Sequence, residues 1–354
     1  MGALRRTHGA ALLAVGALLL VLFAHLPPAP RPPPAPRPAP LLVPPSTPPA
    51  PSNRTVSTRA SQTTAPPHPP SPTPRPKPAP LLTKDVYVSG HERPHPELCP
   101  ALGAHLRMLV LITSAPSHAE ARAAIRFTWG HYAARRDLTI AFMLGTPPPD
   151  LRSALVAEDE LYGDLIVGRF RDSYSNLTLK TLSMLEWADT YCPRAPRLLK
   201  TDDDMFINVP RLLQFAAAPT RANATRTIWG KVVKKSYPKR TTKSKYYVSP
   251  LQFSGKVFPD FATGPAYLLT TDVVRELLAA APREPYLRLE DVFVTGVLAA
   301  KLHVTRRLAP EFYNKKVQAH PCTVQRGVAI HMVRYHEQFD LWRKLLDGKT
   351  KCAS

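Results

Sequence analysis

Arg197-Leu198-Leu199-Lys200-Thr201-Asp202-Asp203-Asp204-Met205-Phe206-Ile207-Asn208 is the stretch on which the fold of this chain turns. A short apolar run of strand length delivers three adjacent carboxylates, and a second apolar run follows. Like charges this close repel and resist joint ionisation. The oddity is sharper because the 354-residue chain carries a formal net charge of +21. A divalent cation would remove the repulsion and turn the cluster into an oxygen-ligand site. An acidic surface turn is the plainer reading, and the flanking sequence weighs one against the other.

Upstream, residues 106–113 form an apolar run of strand length, and 118–127 are rich in Ala and read as helix. Residues 138–145 read as a strand that ends before Pro147-Pro148-Pro149. Helix, strand and helix follow at 151–161, 164–170 and 177–188, the last with an apolar face of Leu179, Leu182, Met184, Leu185 and Trp187. Strands alternating with helices predict an α/β fold around a mostly parallel sheet. In such sheets ligands bind beyond the carboxyl ends of the strands. The Asp cluster stands at such an end, which favours the metal.

The second half is less regular. Residues 231–245 form a basic run that reads as a loop over the site or as solvated surface. Gly264 before Pro265 marks a tight backbone passage. Residues 272–281 read as helix, and Glu290-Asp291 opens another, apolar one. Two carboxylates at a helix N-terminus also suit its dipole.

The N-terminal third sets the address. Arg5 and Arg6 precede an uncharged run over residues 9–26, close to the lower limit for a spanning helix of about 17 residues. The flanking arginines place the N-terminus on the cytoplasmic side. A cleaved signal peptide competes, but no clear small-x-small site precedes Pro27-Pro28. The run reads as an uncleaved type II anchor. More than half of the 42 prolines fall between Pro27 and Pro80, and no acidic residue precedes Asp85. Such a segment cannot build a core and reads as an extended stem. The expected organisation is a cytoplasmic tail at 1–8, an anchor at 9–26, a Pro-rich stem at 27–84 and a lumenal catalytic domain at 85–354. Sequons at Asn53, Asn176 and Asn223 fit a glycosylated lumenal protein. Cys99, Cys192, Cys322 and Cys352 contain no Cys-x-x-Cys pair, which argues against zinc. One or two disulfides are expected, with all three pairings open. Anchor and sequons argue against nucleic acid as the partner of the basic charge. Oligomeric state is not readable.

Several segments then line up with one family. Arg122-Ala-Ala-Ile-Arg126-Phe-Thr-Trp129-Gly130 resembles the motif R-x-x-I-R-x-T-W-G. Asp172-Ser-Tyr174-Ser-Asn176-Leu-Thr-Leu-Lys180-Thr181 resembles D-x-Y-x-N-L-T-L-K-T, and Lys200 to Asn208 resembles K-x-D-D-D-x-F-x-N. The segment from Phe258 to Tyr267 and the triplet Glu290-Asp291-Val292 complete the order. The chain thus resembles the family-31 β-1,3-glycosyltransferases, the β-1,3-galactosyltransferase group, over roughly residues 105–345.

The resemblance implies a GT-A type fold, a Rossmann-like mostly parallel sheet flanked by helices, in a single Golgi lumenal catalytic domain. It implies a UDP-sugar donor, Mn²⁺ and inversion at the anomeric carbon. The reaction would pass a hexose, with galactose favoured, to the 3-hydroxyl of an acceptor glycan on protein or lipid. Asp204 and His331 are the implied metal ligands. Asp202, Asp203, Arg126, Lys180 and Gly264 are the implied donor-binding residues. Asp291 is the candidate general base, and Glu290 orients the loop or the acceptor. The segment Ala262-Thr263-Gly264-Pro265-Ala266-Tyr267 departs from the Cys-Ser-Gly or double-glycine form of many members. That leaves N-acetylglucosamine and N-acetylgalactosamine as alternative sugars, and a catalytically inactive glycan-binding relative as the non-enzymatic alternative. A two-metal phosphohydrolase would need a second carboxylate or histidine cluster, and none is evident.

Overall fold

The computed structural model describes residues 79–352. The tail, the anchor at 9–26, nearly all of the stem and Asn53 lie outside the described residues. Within them, no helix is long and apolar enough to cross a membrane.

Eleven strands are described: β1 His91–Arg93, β2 Met108–Thr113, β3 Leu138–Thr146, β4 Leu165–Arg171, β5 Arg197–Asp202, β6 Phe206–Ile207, β7 Thr227–Val233, β8 Phe261–Thr270, β9 Thr305–Leu308, β10 Phe312–Tyr313 and β11 Ala329–Ile330. Eight form one sheet in the order β1-β4-β3-β2-β5-β8-β7-β9, and β10-β11-β6 form a small second sheet. Four neighbouring strands, β4, β3, β2 and β5, run parallel, and β8 joins β5 antiparallel. The helices Ala119–Arg126, Arg152–Tyr162 and Leu177–Tyr191 connect the parallel strands. This is the α/β architecture around a mostly parallel sheet anticipated above.

The apolar runs follow from burial on both faces. In β2, Leu109 and Leu111 belong to the core on one side of the sheet, and Met108, Val110 and Ile112 to the core on the other. β5 splits its pair in the same way, Leu198 to one side and Leu199 to the other. A strand with both faces covered reads as a continuous apolar run. Each fully buried Leu or Ile stabilises the fold by roughly 1.5–3 kcal/mol relative to exposure. Helix Leu177–Tyr191 is buried on more than the single face expected, with Thr178 to Leu185 all enclosed. The hydroxyl of buried Thr178 donates to the Leu287 carbonyl at 2.6 Å, so its polar atom is satisfied. Trp129 is fully buried in the core.

The segment expected only as a tight passage is the long strand β8. Its pairing with β7 breaks between Gly230 and Val232, whose partners are Tyr267 and Ala262. Residues 263–266 therefore bulge from β7. Pro265, which has no N–H to give a ladder, falls within that bulge, where proline is tolerated. The apolar segment opened by Glu290-Asp291 also differs from a plain α-helix. Val292–Leu298 is π-helical, a geometry found often at functional sites. Thr295 locks it to β8, accepting from the Ala262 N–H and donating to the carbonyls of Ala262 and Asp291.

Two disulfides settle the open pairing: Cys99–Cys192 and Cys322–Cys352. Packing begins slightly upstream of residue 85. Thr83 is buried, its N–H donates to the Glu284 carbonyl at 2.9 Å, and the Tyr286 N–H donates to Leu81.

Candidate active site

β5 ends on Asp202, which is registered against Thr113 at the end of β2. The Asp202 carboxylate accepts from the Thr113 hydroxyl at 2.6 Å and from Lys200 Nζ. Asp203 turns the other way and accepts from the Ser114 hydroxyl at 2.7 Å and from His118 Nδ1 at 2.8 Å. Asp204 is drawn into neither group and stays half-exposed. The small sheet explains its partner. β6 follows the acid run and pairs with β11, Phe206 against Ile330, and the Val333 N–H donates to the Asp204 carbonyl. His331 is thereby carried to the acid run, with Nε2 at 3.3 Å from Asp204 Oδ2. Its Nδ1 faces the Asn314 carbonyl at 3.4 Å. A carbonyl only accepts, so Nδ1 carries a proton, and Nε2 is the ring nitrogen turned to the Asp204 carboxylate. Met332, next in the chain, has φ of 63°, a left-handed conformation unusual for such a side chain.

A second group lies across β5. Lys200 is buried and donates to the Gly264 carbonyl at 2.6 Å and to Asp202, with Glu290 at 3.3 Å. Burial alone would lower the Lys200 ammonium, but Asp202 and Glu290 together hold it well above its ordinary value. Glu290 Oε2 also accepts from Thr181 at 3.1 Å and from the Tyr267 hydroxyl at 3.3 Å. Burial pushes the Glu290 carboxyl up to about 7, against the pull of Lys200. Asp291 opens the π-helical segment. One oxygen accepts from the Val292 N–H at 2.9 Å and the other from the Gly264 N–H at 3.0 Å. Burial raises Asp291 too, tempered by those two N–H groups. The bulge in β8 is what frees the Gly264 N–H for this contact. A Cβ on Gly264 would stand 2.9 Å from Glu290 Oε1, so a larger residue there displaces the Glu290 carboxylate.

These groups line a cavity of about 760 Å³ that holds Asp202, Asp204 and His331 together with Gly264, Glu290 and Asp291. An adjoining cavity of about 600 Å³ is lined by Thr113 to His118, Lys180 and the three aspartates. Lys180 pairs with Asp172 at 2.8 Å and with the Ser114 carbonyl. Its ammonium is lowered mainly by burial, which Asp172 opposes. Among the described residues no group of three or more His, Cys, Asp or Glu side chains is placed to hold a metal. Asp204 and His331 form a two-donor set.

The structure thus brings Asp202, Asp203, Asp204, Lys180, Gly264, Glu290, Asp291 and His331 into two contiguous cavities. Arg126 is not among them. Its guanidinium is paired with both oxygens of Asp164 at 2.7 and 2.8 Å and with Glu158 at 2.8 Å, and it stacks on Tyr162 at 4.0 Å. Those partners use its fork for packing, and a donor-binding role does not fit that position. Of the described sequons, Asn176 stands just before the helix Leu177–Tyr191, makes no side-chain cap to it and donates its amide to the Arg171 carbonyl, and Asn223 is exposed. The basic run is split. Its first residues belong to β7, while Ser236, Tyr237, Lys239 and Lys245 line the larger cavity. Lys200, Ser114 and His118 were missed as site residues. The available signal was position: one lies on the strand that delivers the acids, and the others follow the strand beside it.

The galactosyltransferase family profile matches residues 120–310, more than half of the chain. Lactosylceramide 1,3-N-acetyl-beta-D-glucosaminyltransferase of Homo sapiens is 33% identical over 271 residues, 73% of this chain and 71% of that protein. Beta-1,3-galactosyltransferase 5 of Homo sapiens is 33% identical over 248 residues, 68% of this chain and 79% of that protein. Among solved structures, the galactosyltransferase LgtC in complex with donor and acceptor sugar analogs is similar at a TM-score of 0.35 and 8% identity, over 69% of this chain and 98% of that one. With the matched segment spanning β3 to β9, and with it the three aspartates, Gly264 and Glu290-Asp291, the chain belongs to the galactosyltransferase family.

Proposed function

We propose that this chain transfers a hexose from a UDP-sugar, with inversion, to the 3-hydroxyl of an acceptor glycan, forming a β-1,3 linkage. Galactose is the sugar proposed, and Golgi membranes, reached through the anchor read at 9–26, are the proposed location. The observation that carries the reading is a single cavity bearing Asp204 and His331 at one part of its wall and Asp291 at another. Relatives named for both galactosyl and N-acetylglucosaminyl transfer support the linkage more strongly than the sugar.

Mn²⁺ fits the first pair. His331 is oriented by a backbone carbonyl on Nδ1 with Nε2 toward a half-exposed carboxylate, the usual support for a ligating histidine. Oxygen with imidazole suits Mn²⁺, and diphosphate oxygens would complete a two-donor set. When bound, the cation would offset negative charge on the departing UDP. Asp203, with Ser114 and His118, forms the polar wall of the adjoining cavity, to which this reading assigns the nucleotide. Lys200 holds Asp202, Glu290 and the Gly264 carbonyl in one arrangement, and so positions Asp291. Displacement then balances simply. The acceptor oxygen bonds to the anomeric carbon, the carbon–phosphate oxygen bond breaks, and Asp291 takes the hydroxyl proton. Its raised proton affinity suits that task. No covalent intermediate is needed.

Incubation with Mn²⁺, a panel of UDP-sugars and acceptor glycosides tests this. Transfer from UDP-galactose that stops with chelator and resumes with Mn²⁺ is expected. Transfer of no sugar by folded protein would refute the enzyme reading, and transfer of N-acetylglucosamine alone would refute the choice of galactose.

A further inference from the structure

The larger cavity has a basic wall that the transfer chemistry above does not use. Arg288 lies three residues before Asp291 and lines the cavity. Its Nε is buried and has no hydrogen-bond partner. Lys239 and Lys245 face the same space from the loop that follows β7. Lys245 sits over the Tyr246 ring at 4.8 Å. No Asp or Glu occurs between Asp204 and Asp260. Among the described residues the only ion pair made by 231–245 is Lys234 with Asp260, at 4.0 Å. A buried guanidinium nitrogen without a partner is costly, and two further cations on the same cavity wall add to the positive charge there. An anion entering here would relieve both.

The donor's diphosphate is the obvious anion, but position argues against it. On the functional reading above, on which this inference rests, the diphosphate belongs with Asp204 and His331. An inverting displacement brings the acceptor to the opposite face of the anomeric carbon, which Asp291 marks. Arg288 shares a segment with Asp291. Arg288 therefore stands at the acceptor end, and Lys239 and Lys245 line the same cavity.

We propose that Arg288, with Lys245 and Lys239, forms a subsite for an acidic group on the acceptor, a carboxylate or a sulfate. The guanidinium fork matches either group, and Tyr174, Tyr237 and Tyr246 line the same cavity. The acceptor class is then an acidic glycan.

Calorimetric titration of the full-length chain, with UDP and Mn²⁺ present, tests this without turnover. The probes are p-nitrophenyl β-galactopyranoside, the corresponding galacturonide, and the galactoside sulfated on its primary hydroxyl. At least one acidic probe should bind roughly tenfold more tightly than the neutral one, as expected of a charge-assisted contact. The preference should vanish in Arg288→Gln and shrink in Lys245→Gln, with UDP affinity unchanged. Lys245 is exposed, so its variant reports even where Arg288→Gln does not fold. Equal affinity for all three probes would overturn the subsite. So would an Arg288→Gln protein that keeps the preference but loses UDP affinity, because the cations would then serve the diphosphate. Failure to transfer any sugar would count against the catalytic reading instead, since the preference is read from binding alone.

Discussion

At the scale of single residues, the site separates two neighbouring carboxylates by their surroundings. Asp291 is half-buried with one N–H on each oxygen, while Glu290 is enclosed with Lys200, Thr181 and Tyr267. The first has access to a substrate and the second holds the site together. Asp291→Asn keeps the shape and removes the base, so kcat should fall by roughly 10²–10⁴-fold with unchanged UDP affinity by titration. A rate within a few-fold of wild type would reject the assignment. Glu290 gives a signature in stability. Its ordinary value of 4.5 is raised in the fold to about 7. Between those values the folded chain holds a proton that the unfolded chain has released. The contribution is therefore full below about pH 4.5 and is lost as pH rises through about 7. Glu290→Gln should flatten the slope of Tm against pH across that window. An unchanged slope would place the titration elsewhere.

At the scale of elements, β8 and the π-helical segment make the site by approaching each other closely. The bulge at 263–266 releases the Gly264 N–H for Asp291, and Thr295 fixes the segment beside Ala262. Gly264→Ala places a Cβ at 2.9 Å from Glu290 Oε1. Expected are a loss of about 1–3 kcal/mol, the range for overpacking, and a larger loss of kcat than of UDP affinity. A stable, fully active variant would show the approach to be unimportant. The motifs here were legible because each is a short run of unusual residues at a strand or helix end: Asp202 to Asp204, Gly264-Pro265 and Glu290-Asp291. Their pairing was not. The register of β5 with β8 sets Lys200 against Tyr267, whose hydroxyl reaches the same Glu290 that Lys200 meets, and no local pattern announces a contact across 90 positions. Arg126 shows the converse. A cation inside a family motif looks like a nucleotide ligand until Glu158 and Asp164 occupy it.

At the scale of the whole molecule, the parallel centre of the sheet was readable because strands buried on both faces have no polar alternation. β8 was missed as a strand because Gly264 and Pro265 interrupt its pattern at the bulge. The disulfides were readable as a number but not as a pairing, which depends on where the chain ends meet the core. Cys99–Cys192 closes 93 residues, and in the chain-entropy model a loop of that length contributes about 4–5 kcal/mol. Cys99→Ala with Cys192→Ala should therefore lower Tm by many degrees, and an unchanged Tm would deny the bond a structural role. The central claim is inverting transfer at the cavity that Asp204, His331 and Asp291 share. NMR of the product formed from an α-linked UDP-sugar reads its anomeric configuration directly. A β-linked product at the acceptor 3-hydroxyl is expected; an α-linked product would contradict a single displacement with Asp291 as base.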